Sequence, residues 1–207
     1  MTAGKPAHLP DDIIAALVGG DHPDPFSVLG MHLAGNHVIV RAFVPGAARL
    51  DVIDPADGAS VAGLERLHED GLFAGAIAGR SEHFAYRLRA GAGEAAWELD
   101  DPYRFAPVLG PMDEYLWVEG THTRTFDRFG AHVMEHEGVA GTHFAVWAPA
   151  AKRVSVVGDF NQWDGRRHVM RHRGTTGIWE IFLPGVGAGT AYKYEIRAQS
   201  GNLLPLK

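Results

Sequence analysis

The sequence predicts an all-β protein: two tandem immunoglobulin-like β-sandwich domains, with a short N-terminal helix and a Pro-rich linker. Three observations carry that reading. First, the chain repeats itself: VIVRAFVPGAARLDVI at 38–53 returns as THFAVWAPAAKRVSVV at 142–157, aligning Phe43 with Trp147, Pro45 with Pro149 and Val52 with Val156. A repeat of about a hundred residues is far longer than the roughly 20–50 of a solenoid unit and fits two copies of one domain. Second, Val38 and Val40, then Leu50 and Val52, follow the two-residue period of half-buried strands. Third, Gly/Pro clusters such as Pro45-Gly46 and PGVGAG punctuate the runs, as in a sandwich of short strands.

The elements follow in order. Residues 11–18 (DDIIAALV) read as a short helix, with two carboxylates in the first turn to complement the dipole and Gly19-Gly20 as the stop. DHPDPFSVLG, with prolines at 23 and 25, reads as an ordered loop. β-type sequence starts at His37, with further strands at 72–78, 83–89 and 95–99. In the second copy, strands are predicted at 142–147, 153–157, 178–183 and 191–197. Between the copies lie Pro107 and Pro111 and then THTRTFDRFGAH, with one short helical turn. The predicted boundaries are therefore 1–106 for the first domain, 107–137 for a linker and 138–207 for the second domain.

Composition narrows the function. The net charge is −6, from 19 basic and 25 acidic residues, whereas a nucleic-acid partner calls for a clustered basic face. With no cysteine, a disulfide framework or thiolate metal site is excluded, and a reducing, cytoplasmic compartment is suited. The longest clean apolar run, Ile13 to Val18, is far short of the ~20 residues that span a bilayer, so no membrane partner is expected. Lys5 is followed by Pro10, Asp11 and Asp12 where a signal peptide needs its apolar stretch.

Three motifs have plainer explanations than chemistry. His132-Val-Met-Glu135-His136 matches the H-x-x-E-H pattern of some zinc peptidases, but the stretch between Gly130 and Gly138 is too short for a stable helix. Gly185, Gly187 and Gly189 precede a strand, not the helix a dinucleotide loop requires, and read as a hairpin turn. Asp100/Asp101 and Asp113/Glu114 read as solvated surface. No catalytic residue, cofactor or metal site is expected.

GDFNQWDG at 158–165 is different. It sets Phe160 and Trp163 in a polar, glycine-flanked turn. A sugar offers a flat C–H face and a rim of hydroxyls, which an exposed aromatic plane beside amides and carboxylates complements. Trp163 with Asn161, Gln162 and Asp164 supplies that chemistry. An indole capping the end of a sandwich core explains the same residue equally well.

Residues 141–196 resemble the glycogen-type family-48 carbohydrate-binding module, in the form found in bacterial glycogen branching enzymes. DHPDPFSVLGMH (21–32) and RTFDRFGAH (124–132) resemble two further signatures of that family, so the likeness runs from about residue 10 to the end. It implies two N-terminal sandwiches ahead of a catalytic (β/α)₈ barrel and a C-terminal β-domain. The barrel would move an α-1,4-glucan segment onto a 6-hydroxyl by retaining glycoside chemistry. Its motifs are absent from these 207 residues, so the chain resembles the non-catalytic front of such an enzyme. The implied partners are α-1,4-glucan or glycogen and the barrel itself. By the same resemblance Trp163 matches an aromatic platform and Lys193 a lysine that bonds glucan hydroxyls. Asn161 joins them as a carbohydrate-binding residue. A second tryptophan that some such modules carry near their C-terminal end is replaced here by Asn202-Leu203-Leu204. A free-standing glucan-binding module, a purely structural pair of sandwiches, or the front of a debranching enzyme or trehalohydrolase are the alternatives. DHPDPFSVLGMH with two tandem sandwiches favours the branching enzyme.

Overall fold

A computed structural model describes residues 9–207, so the segment around Lys5 lies outside the described residues. The chain divides into two compact units, Met1–Arg104 and Phe105–Lys207. Unit 1 opens with α1 (Asp11–Val18) and a 3-10 turn at Pro25–Ser27. Seven strands follow: β1 (Gly30–Ala34), β2 (His37–Phe43), β3 (Arg49–Ile53), β4 (Ser60–His68), β5 (Leu72–Ile77), β6 (Arg87–Ala92) and β7 (Ala95–Leu99). A second 3-10 turn, Pro102–Arg104, closes it. Unit 2 has α2 (Pro111–Val118) and a 3-10 turn at Thr125–Asp127. Its strands are β8 (Gly130–His136), β9 (Val139–Trp147), β10 (Ala151–Gly158), β11 (Arg171–His172), β12 (Ile178–Pro184) and β13 (Tyr192–Ala198).

Each unit is an antiparallel sandwich with the same order of strands. In unit 1 the order is β1-β2-β5-β4-β3-β6-β7, and β4 joins the two layers by pairing with β3 over its first half and β5 over its last. The core lies between the layers: Val38, Val40 and Ala42 of β2 and Phe73 and Ile77 of β5 meet Leu50 and Val52 of β3 and Leu88 and Ala90 of β6. Unit 2 repeats this as β11-β12-β9-β8 facing β10-β13, with Phe144 of β9 edge-on to Tyr192 of β13 at 4.8 Å. The second layer widens on both sides. Residues 168–170 bond to β10 through Val156 N–H to His168 O and Met170 N–H to Val154 O, and residues 202–207 bond to β13.

The helix expected at 11–18 forms. It ends in a Schellman motif, with Gly20 at φ +66 and the Asp21 N–H bonded to Ala16 O. The strand expected at 83–89 starts instead at Arg87. Tyr86 is anchored by its side chain, whose hydroxyl donates to buried Asp101 at 2.6 Å, and not by ladder bonds. Burial outweighs that bond and the one from the Tyr103 N–H, pushing the Asp101 carboxyl up to about 6.

Residues 107–137, expected as a linker, are instead an ordered part of unit 2. Pro111 does not break structure: it stands at the first position of α2, where its missing N–H costs nothing. The stretch before it is pinned by buried Glu180, which accepts from the Val108 and Leu109 N–H groups, both at 3.0 Å. His143 Nε2 lies 3.0 Å from the same carboxylate, and Arg173 Nε lies 3.2 Å from its other oxygen. Burial alone would raise Glu180, but the His143 ring, the Leu109 N–H and Arg173 together hold it below the usual range. Phe105 packs edge-on to Phe182 at 4.9 Å. The run IWEIFL is thus buried on both faces because this segment covers its outer side.

β8 carries the H-x-x-E-H residues. Strand alternation puts His132 and His136 on one face and Glu135 on the other, and each imidazole meets a main-chain oxygen, Phe129 O and Ala106 O respectively, both at 3.0 Å.

Candidate functional site

The turn after β10 is built from the inside outward. β10 ends at Gly158, and a 3-10 turn covers Asp159–Asn161. Asn161 is 1 % exposed, and its amide is fully used. Oδ1 accepts from the Gly158 N–H at 3.0 Å, while Nδ2 donates to Val156 O at 2.8 Å and meets His168 Nδ1 at 3.0 Å. The sequence expectation that Asn161 contacts carbohydrate is therefore corrected. Its side chain faces the protein and holds the turn, because two turn peptides and a histidine would otherwise lose their partners.

Gln162 and Trp163 follow at φ +60 and +59, two consecutive non-glycine residues in the left-handed region. Such residues cost roughly 1–2 kcal/mol each, so the surrounding bonds must impose the shape. The Trp163 N–H bonds to Gly158 O at 2.9 Å, and its indole Nε1 donates to Asp159 Oδ1 at 2.8 Å. The indole is thereby fixed by its edge while the residue stays 41 % exposed, outside the core.

Two glycines seat the turn for steric reasons. A Cβ on Gly158 would stand 2.5 Å from the Phe160 ring and 2.7 Å from Ala191 O, and one on Gly165 would stand 2.1 Å from the Glu195 carboxylate. Phe160 lies beneath, stacked on His168 at 5.7 Å. Burial lowers the His168 imidazole to about 4, with help from nearby Arg167, so the ring is neutral at pH 7.

Lys193 comes to the same corner. It pairs with Val157, the residue before the glycine that holds Trp163, and lies between Ala191 and Glu195, which contact the two seating glycines. Its neighbour Tyr192 points inward to Phe144, so alternation turns Lys193 outward, where it is exposed. Asp164 faces Arg166 through a two-pronged contact, 3.0 Å from Nε and 2.9 Å from a terminal nitrogen. Burial would raise this carboxyl, but the Arg166 bonds outweigh it and hold it below the usual range. The tertiary fold thus brings Trp163 and Lys193 to one surface and withdraws Asn161 from it. Sequence reasoning missed Asp159 and Glu195. The two glycines bracketing GDFNQWDG were the available signal.

One family model falls within each unit. The model for the alpha-1,4-glucan branching enzyme GlgB N-terminal domain matches residues 10–103, and that for carbohydrate-binding module 48 (isoamylase N-terminal domain) matches residues 128–206. The 1,4-alpha-glucan branching enzyme GlgB of Roseobacter denitrificans is 56 % identical over 92 % of this chain and 26 % of its own length. That of Rubrobacter xylanophilus is 56 % identical over 95 % and 27 %, and that of Mesorhizobium japonicum 51 % over 100 % and 28 %. The chain spans about a quarter of the length of these curated relatives. Among the described residues no helix is long and apolar enough to cross a membrane. With one domain model on each unit and relatives aligned across both, the chain belongs with the N-terminal region of the GlgB family of 1,4-alpha-glucan branching enzymes.

Proposed function

We propose that this chain is the non-catalytic N-terminal part of an enzyme that forms α-1,6 branches in glycogen, and that unit 2 holds an α-1,4-glucan chain against Trp163 and Lys193. One observation carries the reading: an indole kept at the surface by two left-handed residues and a side-chain bond that the core does not require. With Nε1 engaged by Asp159, the ring offers its face, which suits the C–H face of a glucose unit, while Lys193 supplies donors for the hydroxyl rim. Both units would also pack against and orient the catalytic barrel of a longer polypeptide. A cytoplasmic location goes with this reading, as do the absence of a nucleic-acid partner, given the net charge of −6, and of a membrane partner.

Affinity electrophoresis of Trp163→Ala in glycogen gels, run beside a thermal melt, tests the proposal. Stacking is worth about 0.5–1.5 kcal/mol beyond area burial, so retention should weaken several-fold to about tenfold with the melt nearly unchanged. Unchanged retention with a clear drop in melting temperature would overturn it.

A further inference from the structure

Beside its core, each unit has a small apolar cluster under its helix, and the two clusters are copies. In unit 1 Leu9, Leu17, Leu29, Phe43 and Leu72 pack with Tyr103. In unit 2 Leu109, Trp117, Phe129 and Ile178 occupy the places of Leu9, Leu17, Leu29 and Leu72, and Trp147 that of Phe43. The counterpart of Tyr103 is what unit 2 lacks among these 207 residues. Gly30, at φ +91, has the Tyr103 carbonyl 2.6 Å from where its Cβ would be, whereas Gly130, at φ +101, has nothing within 4 Å. Phe26 is half-buried, edge-on to Tyr103 at 4.8 Å, but Phe126 is 69 % exposed. Phe43 is 7 % exposed and Trp147 55 %.

Strand register tells where the counterpart belongs. Val52 pairs with Leu88, which pairs with Leu99; four residues later Tyr103 reaches the cluster, its N–H held by Asp101. In unit 2 Val156 pairs with Tyr194, which exchanges both main-chain bonds with Lys207. Lys207 therefore stands where Leu99 stands, and the place equivalent to Tyr103 falls four residues beyond it. We infer that the patch formed by Phe126, Gly130 and Trp147 is the seat of an acidic-Pro-aromatic turn like Asp100–Phe105, supplied by polypeptide running on from Lys207 in a longer chain. Such a turn would lock the exit from unit 2 and fix the direction in which a following domain leaves. This rests on the reading of the chain as part of a longer enzyme, but not on glucan binding at Trp163.

The test appends a copy of residues 100–105 (DDPYRF) directly to Lys207 and follows hydrogen exchange and tryptophan emission. Exchange over residues 111–118 and 126–131 should slow on the order of tenfold, the scale of burying one aromatic side chain, with a blue shift of emission. The same tail with alanine in place of its tyrosine should give neither. Equal protection from both tails, or none from either, would overturn the inference. So would protection of the untailed chain that rises with its own concentration, which makes a second copy the occupant, or with maltoheptaose, which makes glucan the occupant. Retention in glycogen gels should be the same with and without the tail, so failure here and failure of the Trp163 reading are separately visible.

Discussion

The corner after β3 in unit 1 and the corner after β10 in unit 2 occupy the same place in the same sandwich, yet their contents differ. In unit 1 the chain closes on itself: the Asp54 N–H bonds to Ala59 O, and the Ala56 and Ala59 N–H groups bond to the Asp54 and Asp57 carboxylates, with no aromatic residue present. Arg87, at the place of Lys193, is engaged by Glu98 at 2.9 Å and Asp100 at 3.4 Å. In unit 2 the longer turn is seated by glycines and Asn161 and carries an exposed Trp163, while Lys193 is exposed on β13, the strand paired with β10. Duplication supplied the scaffold twice. The capacity proposed for glucan resides in one loop and one cation, not in the sandwich.

The two units can be told apart most sharply at Glu180, whose place in unit 1 is taken by Ala74. Glu180→Ala would leave the Val108 and Leu109 N–H groups, His143 and Arg173 without their shared carboxylate, a loss of about 3–5 kcal/mol. Hydrogen exchange should show protection falling over 105–207 and holding over 9–104. Equal loss in both would mean that the units do not unfold separately.

Acidity should move the units in opposite directions. Asp101 titrates at about 6 folded against 3.8 ordinarily, so the folded state binds more protons between those values. Its contribution is present below about pH 4 and lost as pH rises through 6, up to about 3 kcal/mol. His168 goes the other way: at about 4 against 6.5, its contribution is present above 6.5 and lost as pH falls through 4. It should be the smaller, because part of the residue reaches water. Asp101→Asn and His168→Gln, melted from pH 4 to 7, should each remove one slope. Slopes of the same sign would undo the comparison.

Gly165→Ala probes the seat of the loop. Its Cβ would overlap the Glu195 carboxylate, and about 1–3 kcal/mol of destabilisation together with weaker glycogen retention is expected. A melt like the parent's would show that the turn does not depend on that contact. The smallest effect is expected from Lys193→Ala, about 0.5–1.5 kcal/mol in affinity as one solvent-competed hydrogen bond, with Arg87→Ala leaving retention unchanged. Equal losses from the two would place binding on both units.

Much of the fold was legible because its causes are local. Alternation in Val38/Val40 and Leu50/Val52, the acidic start and glycine stop of α1, and the GDFNQWDG turn each depend on neighbours in sequence. The H-x-x-E-H stretch was legible as too short for a helix, but its strand was not, since Val133 faces solvent while His132 and His136 face inward. β4 escaped notice for a similar reason, being largely exposed and lacking a clean apolar period.

Repetition, period and turn chemistry are written in adjacent residues, so the duplication, the all-β class, the N-terminal helix and the aromatic turn can be read from the chain alone. Which side of that turn each residue serves follows from packing. Asn161 and Trp163 are two positions apart, yet bonds from Val156 and His168 draw one inward while Asp159 fixes the other at the surface. Packing also makes residues 107–137 part of unit 2, because the groups that pin their first stretch, Glu180 and Arg173, lie more than sixty residues away in sequence. Contacts closed over such distances leave no periodic trace in the chain, and only packing reveals them.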